Sequence, residues 1–314
     1  MVSEAQFRGR DLISLYDYTP EEIMYILEFA SELKQKQKKG EPHAVLKGKT
    51  LAMVFQKSST RTRVSFEVGM YQLGGHALFL TNRDLQLGRG ETIADTGKVF
   101  SRYVDGIMIR TFDHDEVIAL AEASDVPVIN GLTDLLHPCQ ALADLMTIKE
   151  HKGRLKGLKL AYVGDGNNVA HSLLYAGAKV GMDVTVCCPR DYEPREDIAV
   201  KAAAAAQKTG AAIKVTNDPS AGVTDADIVY TDVWTSMGQE DEQAWRHERF
   251  KGFQVNSSLM RRAAPDAVVM HCLPAHRGEE ITGDVIDGPH SVVFDQAENR
   301  LHVQKAVMAL LMAD

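Results

Sequence analysis

The sequence predicts an α/β protein of two domains, each a parallel sheet sandwiched by helices, with the active site in the cleft between them. Three observations predict it. Short apolar runs alternate with helix-periodic stretches along the whole chain, the pattern of parallel βαβ units. A polar, glycine-containing connection, HKGRLKGLK at 151–159, separates two such alternating sets. The 314 residues, 45% of them hydrophobic, are enough for two domains with a core each.

Residues 20–38 (PEEIMYILEFASELKQKQK) open the chain with an amphipathic helix, acidic early and basic late as the helix dipole prefers. Strands are expected near 51–55, 77–80, 106–110 and 126–129. Helices are expected near 61–73, 91–103, 115–123 and 138–150. The second set has strands near 160–163, 184–188, 212–215, 227–230 and 267–271, with a further candidate at 291–294. Val200 to Ala206 includes KAAAAAQ, a helix by propensity. Glu298 to Met312 reads as one last helix.

The net charge of −8 argues against a nucleic-acid or anionic-membrane partner. No apolar run approaches membrane-spanning length, and the N-terminus lacks a signal-peptide core. The four cysteines, Cys139, Cys187, Cys188 and Cys272, have no metal-ligand spacing and suggest no disulfide framework, which points to a reducing cytoplasm.

The densest polar cluster is Ser59-Thr60-Arg61-Thr62-Arg63, placed where the strand 51–55 hands over to a helix. A helix N-terminus offers unpaired N–H groups and partial positive charge, which suits an anion. Capping alone explains Ser59 or Thr60 but not five such residues, so this stretch reads as an anion site. It is not a Walker loop, because GxxxxGK[ST] is absent.

Other motifs sit at strand ends, where open parallel sheets bind ligands. Arg110 closes GIMIR. His137-Pro138-Cys139-Gln140 opens a helix, so that His137 and Gln140 could both donate to one carbonyl oxygen. Gly164-Asp165-Gly166-Asn167-Asn168 starts like a dinucleotide fingerprint, but Val169 stands where the third glycine belongs and no acid closes the next strand. Asn168 instead offers an amide to a polar ligand. Asp232 opens DVWTSMG and could hold an ammonium, or cap a turn. His271-Cys272-Leu273-Pro274 places a thiol beside a histidine, either a nucleophile or a buried inert cysteine.

Taken together, FQKSSTRT, HPCQ, DGNN, DVWTSMG and HCLP, in that order, resemble the aspartate/ornithine carbamoyltransferase family over nearly the whole chain. HCLPAHR is similar to the ornithine branch; the aspartate branch carries HPLPR there. The resemblance implies a carbamoyl phosphate-binding domain at 1–150, joined by the C-terminal helix 298–314, and an ornithine-binding domain at 151–297. It implies that Ser59, Thr60, Arg61, Thr62, Gln86, Arg110, His137, Gln140 and Arg300 hold carbamoyl phosphate. Gln86 would come from a neighbouring subunit, which implies a homotrimer with shared active sites and leaves a higher assembly of trimers open. Ornithine would be held by Asn168, Asp232, Ser236, Met237, Cys272 and Leu273. Arg110, His137, Asp232 and Cys272 would be catalytic, with Cys272 a proton partner and not a covalent nucleophile. The Leu273-Pro274 bond would be cis. No metal and no organic cofactor is implied. Relatives using aspartate, acetylornithine or putrescine are the near alternatives. A nicotinamide-dependent oxidoreductase and a non-catalytic binding protein are the distant ones.

Overall fold

The structure, a computed structural model, describes the whole chain except Met1, Asn82, residues 86–89, Met237, Gln239 and Asp314. It divides into two units. The first comprises Met1–Ala143 and Glu298–Asp314; the second is Asp144–Ala297.

In the first unit, α1 (Pro20–Lys39) starts with a capping box between Thr19 and Glu22 and ends at Gly40 in the left-handed conformation. Then follow β1 (Thr50–Phe55), α2 (Thr60–Gln72), β2 (His76–Thr81), α3 (Ile93–Tyr103), β3 (Gly106–Arg110), α4 (His114–Ala123), β4 (Val128–Leu132) and the start of α5 (Pro138–Lys152). The strands form a parallel sheet in the order β2-β1-β3-β4. β1, β3 and β4 are buried along nearly their whole length, as strands covered on both faces must be. Ala52, Val54, Ile107, Ile109, Val117 and Val128 form one core cluster of this unit.

The second unit continues with β5 (Lys159–Val163), α6 (Asn168–Val180), β6 (Asp183–Cys187), α7 (Glu196–Thr209), β7 (Ile213–Thr216), α8 (Pro219–Val223), β8 (Ile228–Thr231), α9 (Gln243–Phe250), α10 (Ser257–Met260), β9 (Val268–His271), α11 (Gly283–Ile286) and the start of α12 (Val293–Met312). Its five strands run parallel in the order β7-β6-β5-β8-β9. One core cluster of this unit includes Ala161, Val163, Val229, Trp234, Phe250 and Val269.

Both sheets reverse their winding at one place. In the first unit it lies between β1 and β3, in the second between β5 and β8. Crevices beyond the carboxyl ends of strands at such points are where open α/β sheets bind ligands. The segments leaving those four strands begin at Gln56, Thr111, Gly164 and Asp232.

Two expectations need correction. No strand forms at 291–294; Ser291 makes a single bridge to Val269, and α12 already begins at Val293, five residues before the expected helix start. The fourth strand starts at Val128 and not 126, because Pro127 has no N–H to give a ladder; only its carbonyl is used, by Ile107 N.

Candidate active site

In the first unit the turn after β1 is pinned at both ends. Gln56 N donates to the Arg110 carbonyl at 2.9 Å, and Arg110 Nε donates to the Lys57 carbonyl at 3.2 Å. Lys57 is itself buried, ion-paired with Asp134 at 2.9 Å. Ser59 then caps α2, its Oγ accepting from Thr62 N at 3.2 Å and donating to Thr62 Oγ1 at 3.1 Å. Thr60 is exposed and Arg61 half-buried at the first turn, while Thr62 is fully buried. Arg63 turns away, paired with Glu67 at 3.1 Å and lying over the Phe79 ring, so the five-residue cluster splits by helical phase.

Arg300 reaches this turn from α12. Its Nη2 donates to Thr62 Oγ1 and its Nη1 to Gln140 Oε1, both at 2.8 Å. The residue lies inside the last helix. The close approach of α2 to α12 depends on Gly69, where a Cβ would stand 2.8 Å from Met308 Cε and 3.3 Å from Lys305 Cγ. Gln140 Oε1 is thus occupied by an arginine, which directs the amide nitrogen elsewhere as a donor.

His137 precedes α5 and is buried, as are Arg110, Gln140 and Arg300. Burial, then the nearby Arg300, Arg110 and Arg61 guanidiniums, hold the His137 imidazole well below its usual pKa. Three guanidiniums acting on one neutral imidazole mark a concentration of positive potential at the α2 start. Such a place can accept an anion, with His137 as an uncharged hydrogen-bond donor beside it.

In the second unit β8 ends at Thr231, whose Oγ1 donates to the Val163 carbonyl at 2.6 Å. Asp232 follows, buried, its Oδ1 accepting from Val233 N at 2.8 Å and from Cys272 Sγ at 2.9 Å. Its Oδ2 accepts from Asn167 Nδ2 at 2.9 Å. Asn167 also caps α6, accepting from Val169 N and Ala170 N, so Asn168 is the first helical residue. Asp232, Cys272 and the Asn167–Asn168 turn are thereby brought together. Ser236 is half-buried in the segment after Asp232. Gln86 and Met237 lie outside the described residues.

The thiol is not activated by its neighbour. His271 Nδ1 accepts from Leu273 N at 2.8 Å, and Nε2 faces Glu280 Oε1 at 2.9 Å, both residues fully buried. Both ring nitrogens are committed, so Cys272 pairs with the Asp232 carboxylate and not with the His271 imidazole. Leu273 has φ of 58° and the Leu273-Pro274 peptide is cis. The two glycines of the 164–168 turn serve different needs: a Cβ on Gly166 would stand 2.3 Å from Pro194 N, whereas Gly164 has room for one but a φ of 149°.

Two family profiles match the chain. One, described as the carbamoyl-P binding domain of aspartate/ornithine carbamoyltransferase, matches residues 10–150; the other, its Asp/Orn binding domain, matches 156–311. The chain belongs to the aspartate/ornithine carbamoyltransferase family. Within that family it is 62% identical over 305 residues to the ornithine carbamoyltransferase of Pyrococcus abyssi, covering 97% of this chain and 96% of the relative. It is also 62% identical over 304 residues to the anabolic ornithine carbamoyltransferase of Pyrococcus furiosus, covering 97% and 96%. The solved ornithine carbamoyltransferase of Pyrococcus furiosus superposes with a TM-score of 0.96 at 61% identity, covering 99% of each chain. That of Thermus thermophilus does so at 0.86 and 42%, covering 99% and 100%.

Sequence reasoning passed over three residues that the structure ties to these segments. Lys57, bonded to Asp134, and Asn167, bonded to Asp232, stand in the quoted motifs, and only their contacts mark them out. Arg246, bonded to Asp165, stands in no motif, and no signal in its charged helix sets it apart.

Proposed function

We propose that the chain transfers the carbamoyl group of carbamoyl phosphate to the δ-amino group of L-ornithine, giving L-citrulline and phosphate. The bond from the δ-nitrogen to the carbonyl carbon forms directly, a tetrahedral intermediate follows, and phosphate leaves. The observation that carries the ornithine assignment is the Asp232–Cys272 contact at 2.9 Å, which joins DVWTSMG to HCLP, two of the three motifs, with DGNN, by which the resemblance separates the ornithine branch.

In this reading residues 1–150 with 298–314 bind carbamoyl phosphate and 151–297 bind ornithine. Ser59, Thr60, Arg61, Thr62 and Arg110 hold the phosphate. His137, Gln140 and Arg300 border the carbamoyl group, and Gln86 of a neighbouring subunit completes the pocket. Neutral His137, Arg110 and Thr62 are fixed donors for the oxyanion, so the charge is met without reorganisation. Asn168, Asp232, Ser236, Met237, Cys272 and Leu273 hold ornithine. An amine with a pKa of about 10.4, like that of lysine, must shed a proton before attack. The Asp232 carboxylate, with Cys272 beside it, orients the amine and receives the proton. The residues themselves supply this acid–base and electrostatic chemistry.

The active assembly in this reading is a cytoplasmic homotrimer. Val64, Val68 and Tyr71 are 50%, 36% and 81% exposed along one stripe of α2, an apolar face that a second copy would cover. Among the described residues no helix is long and apolar enough to cross a membrane. Amine-dependent release of phosphate from carbamoyl phosphate, assayed with ornithine, putrescine, acetylornithine and aspartate, tests the substrate. Turnover with ornithine alone is expected; turnover with another amine and none with ornithine would refute the reading.

A further inference from the structure

We propose that Arg246 is a positioning residue for the amine half of the reaction, fastening two ligand-bearing segments together where the sheet can no longer do so. The β5–β8 ladder ends at the Val163–Thr231 pair. Beyond it the chain splays into the 164–168 turn on one side and the segment after Asp232 on the other. One guanidinium spans both. Arg246 Nη1 donates to Asp165 Oδ2 at 2.8 Å and to the Trp234 carbonyl at 3.1 Å. Its Nε donates to Glu242 Oε2 at 2.9 Å. Trp234 stands near the start of the segment carrying Ser236, and Glu242 stands at its far end, so Arg246 holds both stems and ties them to the Asp165 turn.

The packing around the guanidinium shows a fixed post and not a surface ion pair. Arg246 is 6% exposed, Asp165 8% and Trp234 3%. The guanidinium carbon lies 5.0 Å from the Tyr192 ring centroid, and the Tyr192 carbonyl accepts from Gly166 N at 2.9 Å in the same turn. The Trp234 ring stacks on Phe250 of α9, the helix that carries Arg246. A planar fork with fixed donors suits this three-way contact; a lysine offers one point charge. Removing Arg246 would leave the Asp165 carboxylate buried without that cation and release the Trp234 carbonyl. The turn with Asn167 and Asn168 and the segment with Ser236 would then lose their common register, and the ligand would have to reorder them on binding.

The inference rests on the proposed ornithine site, and the test separates the two. Steady-state citrulline formation is measured for the wild-type chain, Arg246→Met, Arg246→Lys and Asp165→Asn, varying each substrate in turn. Arg246→Met should raise the KM for ornithine by about tenfold or more while the KM for carbamoyl phosphate stays within about twofold. Arg246→Lys should recover part of the loss, and Asp165→Asn, which keeps the shape, should shift ornithine KM in the same direction. If Arg246→Met does not fold, the lysine and asparagine variants carry the same readout. A folded variant with unchanged ornithine KM, or with both KM values raised alike, overturns the positioning role. A wild-type chain that makes no citrulline overturns the function reading instead.

Discussion

The Cys272 thiol lies 2.9 Å from Asp232 Oδ1, while the other carboxylate oxygen accepts from Asn167 Nδ2, also at 2.9 Å. One buried carboxylate is thus fixed from two loops and keeps the thiol as a hydrogen-bond donor. A thiol donating to a carboxylate is held as the thiol, the opposite of what a nucleophilic cysteine needs. Cys272→Ala should therefore raise the KM for ornithine by about tenfold and leave carbamoyl phosphate binding within about twofold, since one hydrogen bond to a charged group is lost. Initial-rate kinetics with each substrate varied checks this, and mass spectrometry of quenched enzyme should find no carbamoyl adduct on Cys272.

Arg300 joins Thr62 to Gln140 by two hydrogen bonds of 2.8 Å in a buried setting. Arg300→Met strips both acceptors and one of the cations around His137. Carbamoyl phosphate affinity should fall by about 2–3 kcal/mol, the cost of losing charge-assisted bonds, with ornithine handling affected only through order of binding. Calorimetric titration with carbamoyl phosphate measures it directly.

His137 is expected to stay neutral as pH falls from the alkaline side through its ordinary value of 6.5, because burial and three guanidiniums depress its pKa. Its ring nitrogen shifts in NMR should not move over that range. The linkage sign follows: below the unfolded value of 6.5 the unfolded chain binds a proton that the folded one refuses, so this residue lowers stability as pH falls through that value. His137→Gln should reduce the loss of stability between pH 7 and pH 5, read as urea midpoints, while impairing turnover.

Lys305 is buried on α12, donating to Gln72 Oε1 at 3.0 Å and facing His43 Nε2 at 3.1 Å. Burial pulls its pKa from 10.5 down to about 8. Between those two values the unfolded chain holds more protons, so unfolding free energy should rise with pH from about 8 to 10.5. Lys305→Met should flatten that rise and stabilise the protein below pH 8, measured by urea titration at a series of pH values.

Much of this was legible in the chain because local signals and fold agree. The apolar run 51–55 followed by Ser59-Thr60-Arg61 specifies a strand, a cap and a helix without help from distant residues, and β1 and α2 formed there. Ser291 to Phe294 failed because SVVF is as apolar as a strand while its partners are tertiary: Val269 takes up only one bridge, and Val293 begins a helix. Arg246 was invisible for the complementary reason. QAWRHERF has the composition of a solvated helix, and only the positions of Asp165 and the Trp234 carbonyl, 81 and 12 residues away in sequence, make one of its arginines interior. Arg63 shows the converse, since adjacency to Arg61 in sequence places it on the other side of the helix.

The most direct test of the account follows a carbon label. Carbamoyl phosphate labelled with ¹³C at its carbonyl is mixed with the enzyme with and without ornithine, and the ureido carbon and free phosphate are followed by NMR. Ureido product and phosphate should appear together, one for one, only when ornithine is present. Phosphate release that outpaces the ureido signal, or label retained on the protein, would contradict direct transfer between two held substrates.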